Sequence, residues 1–173
     1  MFKKILFTSV LLTATSFAMA NTAPYVGASL GVNASTASSG QSFRGMPLTV
    51  FGGYGGVIGQ SFYLAGELDA TLGTYSLNNN GLKSSYGYGV SILPGGMFSE
   101  YTLGYFRLGL LRTRFTTAKA TKSGIEFGLG MQTSLTQNVD LRGEYDYRKY
   151  NTFSGISAPR ADLFTLGLVY KID

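Results

Sequence analysis

Residues 124–150, GIEFGLGMQTSLTQNVDLRGEYDYRKY, change character at every second position. Over 140–150, Asp140, Arg142, Glu144, Asp146 and Arg148 alternate with Leu141, Gly143, Tyr145 and Tyr147. Successive side chains of a strand point to opposite faces, so a charge period of two makes one face ionic and the other apolar. Before the TQN turn the preceding segment divides in the same way. Glu126, Gly128, Gly130, Gln132 and Ser134 oppose Ile125, Phe127, Leu129, Met131 and Leu135. The glycines indicate which face is enclosed. A water-exposed face would favour Lys, Glu and Thr, because glycine weakens a strand. The lumen of a narrow barrel instead needs small residues beneath long ones. The ionic, glycine-rich face therefore reads as the inside, and the apolar face as the side against lipid.

The division continues through the chain. Gly27, Ser29 and Gly31 oppose Val26, Ala28, Leu30 and Val32, and Thr165, Gly167 and Lys171 oppose Phe164, Leu166, Leu168, Tyr170 and Ile172. Eight alternating segments are expected, at 25–34, 47–56, 62–74, 86–95, 103–115, 124–135, 139–150 and 162–172. Long connections (STASSGQSFRGM, YSLNNNGLKSS, TTAKATKS, NTFSGISAPRA) alternate with short ones (VIGQS, GMFSEYT, TQN). Short turns at one end and long loops at the other describe an all-β protein, an eight-stranded antiparallel up-and-down transmembrane β-barrel. Pro24, Pro47 and Pro159 fall at segment starts or in loops, and Pro94 is expected to mark a bulge. The architectural alternative is a soluble exported barrel of the lipocalin sort.

The opening residues, MFKKILFTSVLLTATSFAMA, join Lys3 and Lys4 to an apolar run and end in Ala18-Met19-Ala20. This is the pattern of a cleavable signal peptide over 1–20, leaving a barrel domain over 21–173. The chain carries 14 Lys and Arg against 9 Asp and Glu; without Lys3 and Lys4 the balance is 12 against 9, far from the excess of a nucleic-acid binder. Cysteine is absent, so an exported chain is expected to hold together without disulfides. Charged residues are only 13%, about half the usual share, while Gly numbers 24 and Tyr plus Phe another 24.

Alternation sends Glu67, Asp69, Arg107, Glu126, Asp140, Arg142, Glu144, Asp146, Arg148 and Lys171 into the lumen, six acids against four bases. Unpaired charge is costly to bury, so such a set is expected to form a paired network that plugs the centre. Two charges fall on the lipid side, Arg112 and Arg114. Nine to eleven residues beyond Leu103, they stand about 23 to 28 Å up the wall, at the top of an apolar band about 25 Å tall, where a guanidinium meets headgroups. A bulge that turns Arg112 inward is the alternative. Tyr25, Tyr63, Tyr86, Tyr101, Tyr105, Tyr150 and Tyr170 sit near segment ends, as interfacial girdles would require; strand propensity alone also explains them.

The stretches APYVGASLGV, SFYLAGELDATLGTY, GVSILPGG, residues 125–150 and LFTLGLVYKID together resemble the small outer-membrane β-barrel proteins of Gram-negative bacteria. That superfamily includes OmpA-type and OmpX-type barrels and opacity-like, porin-family surface proteins. Its Tyr-Leu-x-Gly-Glu strand matches Tyr63 to Glu67, and its Arg-x-Glu-Tyr strand matches Arg142 to Tyr145. The resemblance implies residence in the cell outer membrane, insertion by the outer-membrane assembly machinery, and a monomer in contact with lipid and lipopolysaccharide. Members usually end on an aromatic residue, whereas this sequence closes with Tyr170, Lys171, Ile172 and Asp173.

Catalysis finds little support. Barrel enzymes of this architecture rely on a His base, and the chain has none; without Cys or His the usual zinc and thiol ligands are missing as well, so no metal or cofactor is expected. The pairs Glu67/Asp69 and Glu144/Asp146 belong to the expected ion network. FGGYGGVIGQ lacks the third glycine of a phosphate cradle. Binding is more plausible. The long connections carry Arg44, Lys83, Lys119, Lys122 and Arg160 with no acid among them. Arg112, Arg114, Lys119 and Lys122 are the candidate contacts to lipopolysaccharide or to polyanions on a host or other cell surface. The expected role is structural or surface-interacting; the alternative is a small gated or low-conductance channel.

Overall fold

A computed structural model of the chain describes residues 22–36, 42–73, 84–115, 120–151 and 160–172. The expected leader lies outside the described residues, as do Lys83 and Lys119. The strands are β1 (Thr22–Thr36), β2 (Ser42–Gly45), β3 (Leu48–Ile58), β4 (Phe62–Leu72), β5 (Ser84–Met97), β6 (Thr102–Phe115), β7 (Ala120–Ser134), β8 (Val139–Tyr150) and β9 (Arg160–Lys171). All pairings are antiparallel between neighbours, and β1 also pairs with β9, which closes the sheet.

Nine runs make eight staves. Both β2 and β3 pair with β1 on a single register, Asn33 opposite Gly45 and Leu30 opposite Leu48. They are one stave interrupted at Met46 and Pro47. Proline has no N–H to give the ladder, yet the Pro47 carbonyl still accepts from the Gly31 amide at 3.1 Å.

Closure sets the shape. From Pro24 the paired positions run through Tyr54, Gly66, Ile92, Leu108, Phe127, Tyr147 and Asp162 and return to Ala34, ten residues higher on β1. A climb of about 33 Å against a girth of about 38 Å tilts the strands by about 40°. Eight strands at that tilt enclose a bore that side chains fill.

The burial pattern is that of a membrane wall. Leu30, Leu68, Leu110, Phe106, Phe127 and Leu166 face outward and exposed, Leu68 at 65%. The charged faces of β4, β6, β7 and β8 are buried. An apolar belt running around the molecule far exceeds the patch of a few hundred Å² that soluble monomers expose.

Three expectations need correction. Pro94 marks no bulge: the register is the same at Ile92–Leu108 and Gly95–Tyr105, and only the pairing of Leu93 and Pro94 is missing. The irregularity in this hairpin lies between Ser84 and Tyr86. Strand β7 begins at Ala120, four residues before the alternating pattern does, because backbone pairing with β6 continues through the polar Thr121, Lys122 and Ser123. Finally, Tyr25, Tyr63, Tyr105 and Tyr150 are not girdle residues but point into the barrel and are buried; Tyr86 and Tyr170 face out, and Tyr101 stands exposed in the turn at the mouth of the bore. Tyr63, Tyr105 and Tyr150 share the parity of the charges on their own strands, Tyr63 with Glu67 and Tyr105 with Arg107, while Tyr25 lies on the Gly27, Ser29 and Gly31 face of the uncharged β1.

Candidate functional site

The lumen is assembled from long side chains laid over glycines. A Cβ on Gly53 would come within 2.5 Å of the Tyr25 phenol and 2.6 Å of the Gly66 carbonyl oxygen. On Gly128 it would collide with Asp146, and on Gly130 with the Tyr105 ring. The pairing explains why: Gly53 lies between Tyr25 and Glu67, and Gly128 between Arg107 and Asp146. These glycines leave the width that their neighbours occupy.

At the short-turn end the bore opens into a cup of about 210 Å³ lined by Tyr25, Tyr63, Tyr101, Gln132, Asp140 and Lys171 among others. The Lys171 ammonium stands 3.0 Å from Asp140, and the Gln132 amide donates to the same carboxylate at 2.6 Å. Above it lies the Arg142 guanidinium, 2% exposed as a residue. It donates to Gln132 at 2.9 Å and Glu67 at 2.6 Å, and lies 4.6 Å from the centre of the Phe51 ring and 5.4 Å from those of Tyr25 and Tyr105. Aromatic faces attract a cation, more strongly once it is desolvated. Tyr25 completes the layer by donating to Glu67 at 2.9 Å.

Arg107 is the hub of the next layer. Its guanidinium donates to Glu144 at 2.6 and 3.2 Å, to Glu67, and to the Ser91 hydroxyl at 3.3 Å. Asp69 and Asp146 stand 3.7 and 3.8 Å from it, each with an Oδ1 that receives no hydrogen bond. Beside them a space of about 10 Å³ remains, room for about one water. Arg148 donates to Glu126 at 2.5 Å. Near the long-loop end Tyr150 packs edge-on against Phe115, with ring centres 5.4 Å apart, and accepts a hydrogen bond from Thr113 at 3.3 Å.

The structure thus brings Glu67, Asp69, Arg107, Glu126, Arg142, Glu144, Asp146 and Arg148 into one buried column, with Asp140 and Lys171 at its foot. Of the aromatic residues that complete it, Tyr63, Tyr105 and Tyr150 share strand faces with the charges, whereas Tyr25 and Phe51 lie on the inward faces of β1 and β3, which carry no charge.

The rim differs more from expectation. Arg112 and Arg114 face outward and exposed, opposite Tyr88 and Tyr86, and Arg114 donates to the Tyr86 hydroxyl at 3.4 Å. Lys122 does not join them: it pairs with Thr113, whose side chain is buried, and so lies on the lumen face. Lys149 was missed by the sequence reading, although it has the parity of the outward Tyr145. It is exposed and pairs with exposed Arg160. Each step along a pairing line from β6 towards β8 climbs about 3 Å at this tilt. Lys149 lies on the line of Leu110, through Ile125, and so stands level with Arg112 two staves away. Four cations therefore mark the upper edge of the outer wall. Among the described residues no group of His, Cys, Asp and Glu is arranged to hold a metal ion.

Solved structures share this architecture. The neisserial surface protein A, NspA, superposes with a TM-score of 0.65 at 21% identity over 88% of this chain and 99% of its own. Ail, the attachment invasion locus protein of Yersinia pestis, gives 0.53 at 16% identity over 87% and 97%. Ail in complex with the heparin analogue sucrose octasulfate gives 0.55 at 15% over the same shares. No curated protein sequence matches the chain significantly. The sequence pattern of the outer membrane protein beta-barrel domain matches residues 5–171, nearly the whole chain, and with the closed eight-stave barrel it establishes that this protein belongs to the outer-membrane β-barrel family.

Proposed function

We propose that the protein is a surface-interaction and structural element of the outer membrane, its bore closed by the ion network and its upper rim contacting phosphorylated or sulfated polyanions, lipopolysaccharide first among them. The observation that carries the closed bore is the Arg107 hub, which ties β4, β6 and β8 together across the lumen. The rim reading rests on Arg112, Arg114, Lys149 and Arg160, whose cations stand where headgroup phosphates begin. Charge-assisted hydrogen bonds to phosphate are the strong ones, and guanidinium groups make them in pairs. The structure of Ail in complex with the heparin analogue sucrose octasulfate, a sulfated polyanion on the same fold, supports this reading.

The reading includes export by a leader at 1–20, insertion by the outer-membrane assembly machinery, a monomer, and no catalysis. The absence of His supports the last point, since the central lumen acids left to do acid–base work, Glu67 and Glu144 among them, are tied into ion pairs. Replacing Arg112, Arg114, Lys149 and Arg160 together by Gln should weaken lipopolysaccharide binding in micelles by roughly fourfold or more, at about 0.2–1 kcal/mol per exposed contact. Unchanged binding would refute the rim reading.

A gated or low-conductance channel is the second reading, favoured by the 210 Å³ cup, which brings solvent as far as the Arg142 layer from one side. Planar-bilayer recording separates the two, discrete openings favouring the channel and silence the closed bore.

A further inference from the structure

The cup at the short-turn end carries an acid that the lumen network does not use. Its lining includes two carboxylates, Glu100 and Asp140, against one ammonium, Lys171. Asp140 is already engaged by Lys171 at 3.0 Å and by the Gln132 amide at 2.6 Å. The Arg142 cation of the next layer is met by Glu67 at 2.6 Å. Glu100 is exposed and has no ion-pair partner among the described residues. The lining is therefore negative, and Glu100 carries its unmatched charge. The outward cations Arg112, Arg114, Lys149 and Arg160 all stand at the opposite end of the barrel.

Hydrogen bonds hold this acid at the mouth of the cup. In the turn between β5 and β6 the Phe98 and Ser99 amides donate to the Thr102 carbonyl at 2.9 and 3.1 Å. The Ser99 hydroxyl accepts from the Tyr101 amide at 3.3 Å, and the Tyr101 carbonyl accepts from the Ser134 amide at 2.8 Å, which ties the turn to the end of β7. The Lys171 amide is fixed likewise, donating to the Asn138 carbonyl at 2.8 Å. Walls ordered beforehand lower the cost of binding. They suit a cation with an apolar body: Tyr25, Tyr63 and Tyr101 supply rings, and Val57, Met97 and Leu103 supply apolar surface. Aromatic faces attract cations, as Arg142 over the Tyr25 ring already shows in this lumen. The volume of about 210 Å³ is below that of drug-sized clefts and equals about seven water molecules at about 30 Å³ each, so the occupant is a small solute. The short-turn end of such barrels is periplasmic.

We propose that the cup binds a small periplasmic solute bearing one primary ammonium on a short alkyl body, the ammonium at the Glu100 carboxylate and the body against Val57, Met97 and Leu103. The test is amide NMR of the protein in micelles titrated with n-butylammonium, and in parallel with n-butanol and butyrate. Butylammonium shifts the Tyr101 and Ser134 amides saturably, and butanol binds about tenfold more weakly, the worth of an ion pair and a cation–π contact together. Glu100→Gln, in an exposed turn, weakens butylammonium about threefold and leaves butanol unchanged. Lys171→Met removes the competing cation, releases Asp140 to the ligand, and strengthens butylammonium about threefold. Ala23→Phe, opposite Gly55 on the cup wall, abolishes binding; if that variant fails to fold, Glu100→Gln and Lys171→Met still decide. Butanol binding as tightly as butylammonium overturns the proposal, as does an affinity unchanged in Glu100→Gln. Tighter binding of butyrate, or weaker butylammonium binding in Lys171→Met, also overturns it, because Lys171 would then be the partner and the ligand an anion.

Discussion

Arg107→Met separates the charge of the hub from its bulk. Methionine keeps an unbranched stem and removes the guanidinium, leaving Glu67 and Glu144 without their shared donor and Asp69 and Asp146 without the cation 3.7 and 3.8 Å away. Removing one partner from a buried ion pair costs about 3–5 kcal/mol, because the stranded charge stays desolvated. Domains have only about 5–15 kcal/mol in total. With a urea dependence of about 2 kcal/mol per molar, the unfolding midpoint in micelles should fall by about 2 M. The comparison is Lys171→Met, which breaks the Lys171–Asp140 pair at the open foot, where the lysine side chain is 32% exposed. That loss should stay below about 1 kcal/mol. Adding Glu144→Gln to Arg107→Met removes one stranded carboxylate and should restore about 1–3 kcal/mol, although Glu144→Gln alone destabilises. Gel mobility of unboiled samples equilibrated in urea reports the folded fraction. Equal midpoints for Arg107→Met and Lys171→Met, or no recovery on adding Glu144→Gln, would mean that water screens the lumen and the hub does not hold the barrel together.

Arg107→Ala combined with Arg142→Ala removes both central guanidinium groups and leaves six lumen acids facing Arg148, Lys171 and, nearer the long-loop end, Lys122; bilayer recordings should then show cation-selective current, and continued silence would locate the block elsewhere. Gly53→Val drives a branched side chain into the Tyr25 phenol and the Gly66 carbonyl oxygen, and should cost at least about 1–3 kcal/mol in urea titration, whereas Gly66→Val on the lipid face should be close to neutral. Leu68→Arg places a charge on the outer wall and should cost about 2–4 kcal/mol if that position lies at mid-membrane depth, with a smaller loss if it lies near an interface.

Individual residues show how far the sequence could be read. Leu141, Gly143 and Tyr145 alternate with Arg142, Glu144 and Asp146, and β8 runs from Val139 to Tyr150 as expected. Tyr25 and Tyr105 were misplaced because a tyrosine near a segment end fits an interface girdle, and composition cannot distinguish that from a cap inside the bore. Parity distinguishes them, since Tyr105 lies on the face of Arg107 and Tyr25 on the small-residue face of Gly27, Ser29 and Gly31. Lys122 was assigned to a loop because the hydrophobic alternation stops before it. Pairing does not stop there: above the lipid a strand no longer needs an apolar outer face, but its backbone still needs partners.

Alternation is a local property of an extended backbone, so the two faces of every stave, their glycines and the inward direction of the charges could be deduced from residue order alone. The partners of those charges could not. Glu67 accepts from Arg142, 75 positions away, and Arg107 donates to Glu144, 37 positions away. Both meetings depend on the ten-residue offset with which β9 closes onto β1. That offset arises only when the whole sheet closes, because it sets the tilt and therefore the height at which each inward side chain enters the bore. The same offset brings Lys149 level with Arg112 on the outside.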